Sequence, residues 1–407
     1  MGGSGTIRDA IPPRQIAREE NVSRQPLYRD PNLRIIFAVT LTAVLAVSSL
    51  TPAFPQIARE FHVSARSVGL LISVFTVPGV VLTPLLGILA DRWGRKRVLV
   101  PSLVLFGLSG AACAAARDFQ LLLALRFLQG IGAASLGSLN VTLIGDLFEG
   151  PRRTAAMGYN SSVLSVGTAT YPALGGLLAS VAWYAPFFLP LAALPVALLV
   201  ILRLENPEPE GRESLRGYLV GVWRGLRDRQ AAALFAANAA TFVVIFGPYL
   251  SFYPLLLDSS FATSAPAIGL AMSAVSLSSA VAAARLGWLT RRIPERRIIL
   301  FGYIVYALCF VAIPRVGSLG ATLPALVAFG LANGFAIPSI FALLAELAPR
   351  RHRGAFMSVN GMVLRMGQTL GPLLGGVALA AWGLDAVFYG ASALSVIMAV
   401  YTALAIR

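Results

Sequence analysis

The sequence predicts an all-α membrane protein with twelve transmembrane helices in two six-helix bundles. Composition, the spacing of the apolar runs and an internal repeat predict it. Hydrophobic residues make up 57% of the 407 and charged residues 13%, about half the charged share of an ordinary globular chain. So little charge cannot cover a surface facing water. The same composition argues against disorder and a disulfide scaffold. Cys113 and Cys309 both lie inside apolar runs and read as small buried hydrophobes. His62 and His352 are far apart and have no cysteine partners, so no metal and no cofactor are expected.

Crossing the hydrocarbon layer takes about 20 apolar residues per helix. Twelve candidate spans begin near residues 34, 67, 98, 121, 154, 184, 230, 267, 298, 321, 354 and 386. The connections are short except at 204–229, where Glu205–Gly211 is rich in proline and glutamate. Beyond it, 213–228 sets Leu215, Leu219, Val222, Trp223 and Leu226 among arginines, the pattern of a helix lying on the membrane surface. The expected organisation is a polar tail at 1–30, a bundle at 31–203, this linker at 204–229 and a second bundle at 230–407. No cleavable signal peptide is visible.

The net charge of +15 is gathered in the gaps between spans, with no interleaved aromatics, so nucleic acid is not expected as a partner. With a cytoplasmic N-terminus, 27 of the 33 Lys and Arg fall on the inner side, against Arg59, Arg66, Arg117 and Arg315 outside. That asymmetry predicts both termini on the cytoplasmic side of the cell (inner) membrane.

A shift of 200 residues superimposes the two halves. Gly87–Val100 aligns without gaps to Gly287–Leu300, and Gly167–Gly176 to Gly367–Gly376. Asp146, Arg153, Met157 and Asn160 align to Glu346, Arg353, Met357 and Asn360. Parallel repeats of this kind place a binding site between the halves near mid-membrane, reached by rocking one half against the other.

Three motifs carry a family resemblance. Gly87-x-Leu89-x-Asp91-Arg92-x-Gly94-Arg95-Lys96 resembles the loop 2–3 signature of the major facilitator superfamily. Arg126-Phe-Leu-Gln129-Gly130-Ile-Gly132 resembles the fourth-helix motif of its proton-linked members, and Pro172-x-x-Gly175-Gly176 the fifth-helix motif of its drug-efflux antiporters. Tyr171 stands where that last motif has glycine. The resemblance implies the major facilitator fold and a secondary transporter. It also implies that Asp91 meets an arginine and the start of the eleventh helix, latching the halves on the cytoplasmic side. The fifth-helix region would help seal the outer side. Gly94 suits a turn with a positive backbone dihedral. The second copy has Arg291 for Asp91 and Pro294 for Gly94, so a single latch is expected. The expected switch residues are Gly87, Asp91, Arg92, Gly94, Arg95, Lys96, Arg153, Pro172, Gly175, Gly176, Gly371, Pro372, Gly375 and Gly376.

Arg126 and Arg365 fall within spans, about 9 Å and about 16 Å deep. A buried cation costs a few kcal/mol, so each needs a partner or a wet cavity. For Arg126, bonding to carbonyls of a neighbouring helix and a role in transport both remain open; Arg365 is read as facing the cavity. Gly361, Arg365, Gln368 and Pro372 share one helical face. The repeat-equivalent face carries Ser161, Ser165, Thr168 and Pro172, so Arg365 is a specialisation of the second half. No carboxylate lies well inside any span, which suits an anionic or zwitterionic amphiphile better than a cation. Gln129, Asn140, Asn238, Tyr249, Tyr253, Asn333 and Gln368 complete the expected substrate site.

These features predict an exporter working by alternating access on a small-molecule or lipid-like substrate, with protons as a candidate coupling ion and membrane lipids as surroundings. A monomer is expected, and no enzyme activity. A lipid or lysolipid flippase is an alternative on the same fold. A sensor would need an output domain, and a channel would not need two repeats with a latch. No phosphate-binding Gly-x-x-x-x-Gly-Lys-Ser/Thr run is present.

Overall fold

The computed structural model describes residues 26–205, 228–347 and 353–406. The surface helix expected at 213–228 lies almost wholly outside them, as does most of the N-terminal tail. The first half forms α1 (Pro31–Glu60), α2 (Ala65–Trp93), α3 (Arg95–Ala115), α4 (Phe119–Leu147), α5 (Gly150–Val181) and α6 (Ala185–Arg203). The second forms α7 (Arg229–Phe261), α8 (Ala265–Thr290), α9 (Glu295–Arg315), α10 (Leu319–Leu347), α11 (Arg353–Trp382) and α12 (Leu384–Ala405). No strand occurs among the described residues. Eleven of these helices are long and apolar enough to cross a membrane. The remaining one, α11, has the length at 30 residues, but Arg365, Gln368 and its glycines dilute its apolar content.

Local chemistry sets the ends. The Asp30, Asp118 and Asp228 carboxylates accept backbone N–H bonds at the starts of α1, α4 and α7, stabilising termini that otherwise leave donors unpaired. Gly94, at φ +97°, is the entire turn between α2 and α3. The repeat is written into the backbone as well. His62 and Ala262, 200 residues apart, both take left-handed conformations, at φ +50° and +48°, just after α1 and α7.

Prolines and glycines shape the spans. Pro172 and Pro372 lie inside α5 and α11, and α7 relaxes into a π-helical stretch over Ile245–Phe252 around Pro248. Gly130 lets α4 lie on α2: a methyl added there would fall 2.1 Å from the Phe75 carbonyl oxygen. The repeat-related Gly330 lets α10 lie on α8, with 2.3 Å to the carbonyl of Val275.

Because successive helices alternate in direction, both described chain ends share one face, here the terminal face. The other is the far face. The halves meet through α2 against α11 and α5 against α8. The seam lies toward the far face. Ser73 donates to the Thr369 carbonyl, the Thr76 and Thr369 hydroxyls pair at 2.8 Å, and Ser273 accepts from the Ala173 N–H. Arg59 forks onto Asp258 at 2.7 and 2.9 Å at the far-face rim. Toward the terminal face the same four helices part. Methyls added at Gly87, Gly158, Gly287 and Gly361 meet nothing within 4 Å.

These contacts generate a stability prediction. Gly130→Ala should cost about 1–3 kcal/mol, as overpacking does, and lower the thermal midpoint in detergent. Gly137→Ala, on the same helix with nothing within 4 Å, should leave it unchanged.

Candidate functional site

Helix α11 carries the polar groups at the seam. The Arg365 side chain crosses to α2 and rests on Gly79, where an added methyl would lie 3.1 Å from Cδ and 3.2 Å from Nε. The missing side chain at Gly79 is what makes the room. Arg365 Nη1 donates to Gln368 Oε1 at 3.3 Å, and the side chain is partly accessible. Among the described residues it forms no ion pair. One turn further along, Thr369 donates its hydroxyl to the Arg365 carbonyl while meeting Thr76 of the other half. Arg365 therefore stands between the parted terminal side, marked by Gly361, and the closed seam.

Arg126 is placed differently. It is 1% exposed, inside the first half, with Phe75 beneath its guanidinium at 4.3 Å. Its Nε donates to the Leu71 carbonyl of α2, and Nη1 to the Ala46 carbonyl of α1 and to Gln129 Oε1 at 2.6 Å. These are the neighbouring-helix carbonyl bonds considered for it from sequence. At the repeat-related positions the second half has Leu326 and Phe329, and Phe329 sits in a cluster with Tyr249, Tyr306 and Phe310. One bundle is filled by a bonded cation where the other is filled by stacked rings.

The remaining expected binding groups are bonded within their own bundles. Asn140 donates to the Thr40 hydroxyl, which donates to Asn160 Oδ1, tying α4, α1 and α5. Asn238 donates to Asn360 Oδ1 at 2.6 Å, tying α7 to α11. Asn160 and Asn360, aligned by the repeat, thus do the same job in each half. Tyr249 donates to the Met272 carbonyl, Tyr253 pairs with Thr322, and Asn333 accepts from Tyr306. With Tyr253 at 0% and Tyr249 at 6% exposure, these rings lie in the packed interior of the second half.

At the terminal face, Asp91 pairs with Arg95 one turn on, and Arg95 Nε donates to Asp146 Oδ2 of α4 at 3.0 Å. The buried Arg95 thus binds two carboxylates of its own half. Lys96 reaches the Ile201 carbonyl at 3.4 Å, Arg153 lies against Gly145, and Arg92 is exposed. The expected sealing residues sit at the far face. Gly175 abuts the Ser49 carbonyl and Gly176 the Ala265 carbonyl. Gly371 abuts Gly247, Gly375 the Phe252 ring and Gly376 the Arg66 stem. Among the described residues no three His, Cys, Asp or Glu gather as metal ligands.

The sequence profile of the Major Facilitator Superfamily matches residues 36–259 and 240–407. The chain belongs to the major facilitator superfamily. Multidrug resistance protein 1 of Bacillus subtilis (strain 168) is 28% identical over 351 residues, covering 85% of this chain and 89% of that protein. The bacillibactin exporter of the same organism is 28% identical over 356 residues, covering 84% and 88%. Among solved structures, the human organic anion transporter MFSD10 (TETRAN) superimposes with a TM-score of 0.71 at 21% identity, over 93% of this chain and 100% of that one. This major facilitator is therefore a multi-pass membrane transporter, similar to efflux proteins of the drug/proton antiporter branch.

Sequence reasoning missed the partners that close the seam on this transporter: Gly69, Ser73, Gly79, Gly269 and Ser273, and the Arg59–Asp258 pair. A signal was present. Shifted by 200, the segments 65–73 and 265–273 share Ala, Gly, Leu and Ser at positions 65, 69, 70 and 73.

The Arg95 network generates the next prediction. Arg95→Gln leaves two partly buried carboxylates without their cation, so it should lower the thermal midpoint and impair transport together. Arg291→Gln, exposed and at the position where the repeat lacks an acid, should change neither in the same assays.

Proposed function

We propose that this transporter is a secondary exporter working by alternating access on a small anionic amphiphile, driven by a gradient of protons or of a counter-substrate. It would lie in the cell (inner) membrane with the terminal face toward the cytoplasm, as the distribution of Lys and Arg suggests. The observation that carries the reading is Arg365. It is a guanidinium at the seam between the halves, partly accessible, without a carboxylate partner among the described residues and beside the parted terminal side. A cation held in that place is compensated by water, by Gln368 and by a visiting anion, and the visiting anion makes the charge useful. Export is supported by the names of the relatives, a multidrug resistance protein and a bacillibactin exporter.

Within this reading Arg365 and Gln368 contact the substrate. Arg126, Gln129, Asn140, Asn238, Tyr249, Tyr253 and Asn333 hold the helices that frame it. Asp91 and Arg95 belong to the switch that secures the terminal face when the far face opens.

The test compares anionic and neutral analogues for binding to the purified protein. Arg365→Gln should weaken anion binding about 10–100-fold, the worth of one charge-assisted contact, and leave neutral analogues unchanged. Arg365→Lys should restore part of the affinity, since an ammonium lacks the planar fork of the guanidinium. Equal weakening of both analogue classes in a folded protein would refute the anion reading. Preferential binding of lipids by the wild type would favour a flippase.

A further inference from the structure

The far-face seam is built twice. On α2, Gly69 lies against Pro372 of α11 and Ser73 donates to the Thr369 carbonyl. On α8, Gly269 lies against Pro172 of α5 and Ser273 accepts from the Ala173 N–H. Gly69 and Gly269, Ser73 and Ser273, and Pro172 and Pro372 are all 200 residues apart. Each half therefore offers one glycine and one serine, a turn apart, to the proline-bent helix of the other.

The two clasps fit unequally. A methyl on Gly269 would fall 2.3 Å from the Pro172 carbonyl oxygen, and one on Gly176 2.3 Å from that of Ala265, so α5 and α8 touch backbone to backbone. A methyl on Gly69 would meet the Phe252 ring at 3.4 Å and Pro372 Cβ at 3.5 Å. One on Gly376 would meet the Arg66 stem at 3.2 Å. Backbone in two packed helices cannot give way, whereas a long side chain can turn aside.

We propose that Gly69–Ser73 and Gly269–Ser273 are the positioning residues of the far-face seal, and that the α5–α8 clasp is the stiff member whose fit decides whether the far face is shut. The α2–α11 clasp, with Arg365 one turn inside it, is the compliant member. The assignment rests on the seam alone and needs no substrate, so it stands or falls separately from the anion reading.

The test uses a cysteine at Thr51, which is fully buried on α1 and touches Met272 Sδ across the seam at 3.6 Å. Cys113 and Cys309 are replaced by Ala, and a membrane-impermeant thiol reagent is applied from the far face in proteoliposomes. Gly269→Ala should raise the labelling rate about tenfold, as expected when an overpacked contact shifts a two-state balance. Gly69→Ala should raise it less than about twofold, since contacts near 3.5 Å are ordinary van der Waals distances. Equal rises, a larger rise with Gly69→Ala, or no rise with Gly269→Ala would overturn the proposal. If Gly269→Ala fails to fold, Ser273→Ala decides: severalfold faster labelling supports the stiff clasp and an unchanged rate overturns it.

Discussion

The backbone contact between α5 and α8, where Gly176 and Gly269 leave no room for a side chain, is the constraint on which the rest of the arrangement depends. In lipid, apolar surface alone gives helices little reason to associate. Close approach and hydrogen bonds must hold them. Here both are concentrated toward one face, through the glycine contacts, the Ser73 and Ser273 bonds and the Arg59–Asp258 pair. A structure joined at one face and parted at the other offers a route from mid-membrane to the terminal side. Arg365 stands at the end of that route.

The two halves share a backbone plan but have diverged in chemistry. Repeated features are those that shape helices: the left-handed turns at His62 and Ala262, the glycines at 130 and 330, and the asparagines at 160 and 360. Charges are not repeated. Arg126 and Gln129 face Leu326 and Phe329 across the repeat, Asp91 faces Arg291, and Arg365 faces Ser165. Geometry that must match for the halves to rock has been kept. Groups that read a substrate or secure one state have been assigned to one half each.

Much of this was legible in the sequence, because the physics is one-dimensional. Apolar length marks a span, so all twelve helices begin within a few residues of the expected positions. A one-residue turn of positive φ marked Gly94. Two things were illegible. The first is which side of a helix turns into its own bundle and which toward the other half. Tyr249, Tyr253 and Asn333 sit on spans of the expected kind, yet their polar atoms are bonded within the second half. The second is long-range pairing. Arg59 meets Asp258 across 199 positions of sequence, and no local pattern announces it. The loop signature singled out Asp91 and Arg95, but the convergence of Asp91 and Asp146 on Arg95 emerges only when α2, α3 and α4 are packed.

The central claim is that the halves pivot about a shared seam, closing one face as the other opens. Its most direct measurement is a pair of spin-label distances in nanodiscs, one between labels at Arg92 and Arg292 on the terminal face and one between labels at Glu60 and Ser260 on the far face. All four are exposed positions at the ends of, or just beyond, α1, α2, α7 and α8. The account predicts two populations with opposite signs: a short far-face distance accompanies a long terminal-face distance, and substrate exchanges one for the other. Distances that lengthen together, or a single population unmoved by any substrate or gradient, would contradict it.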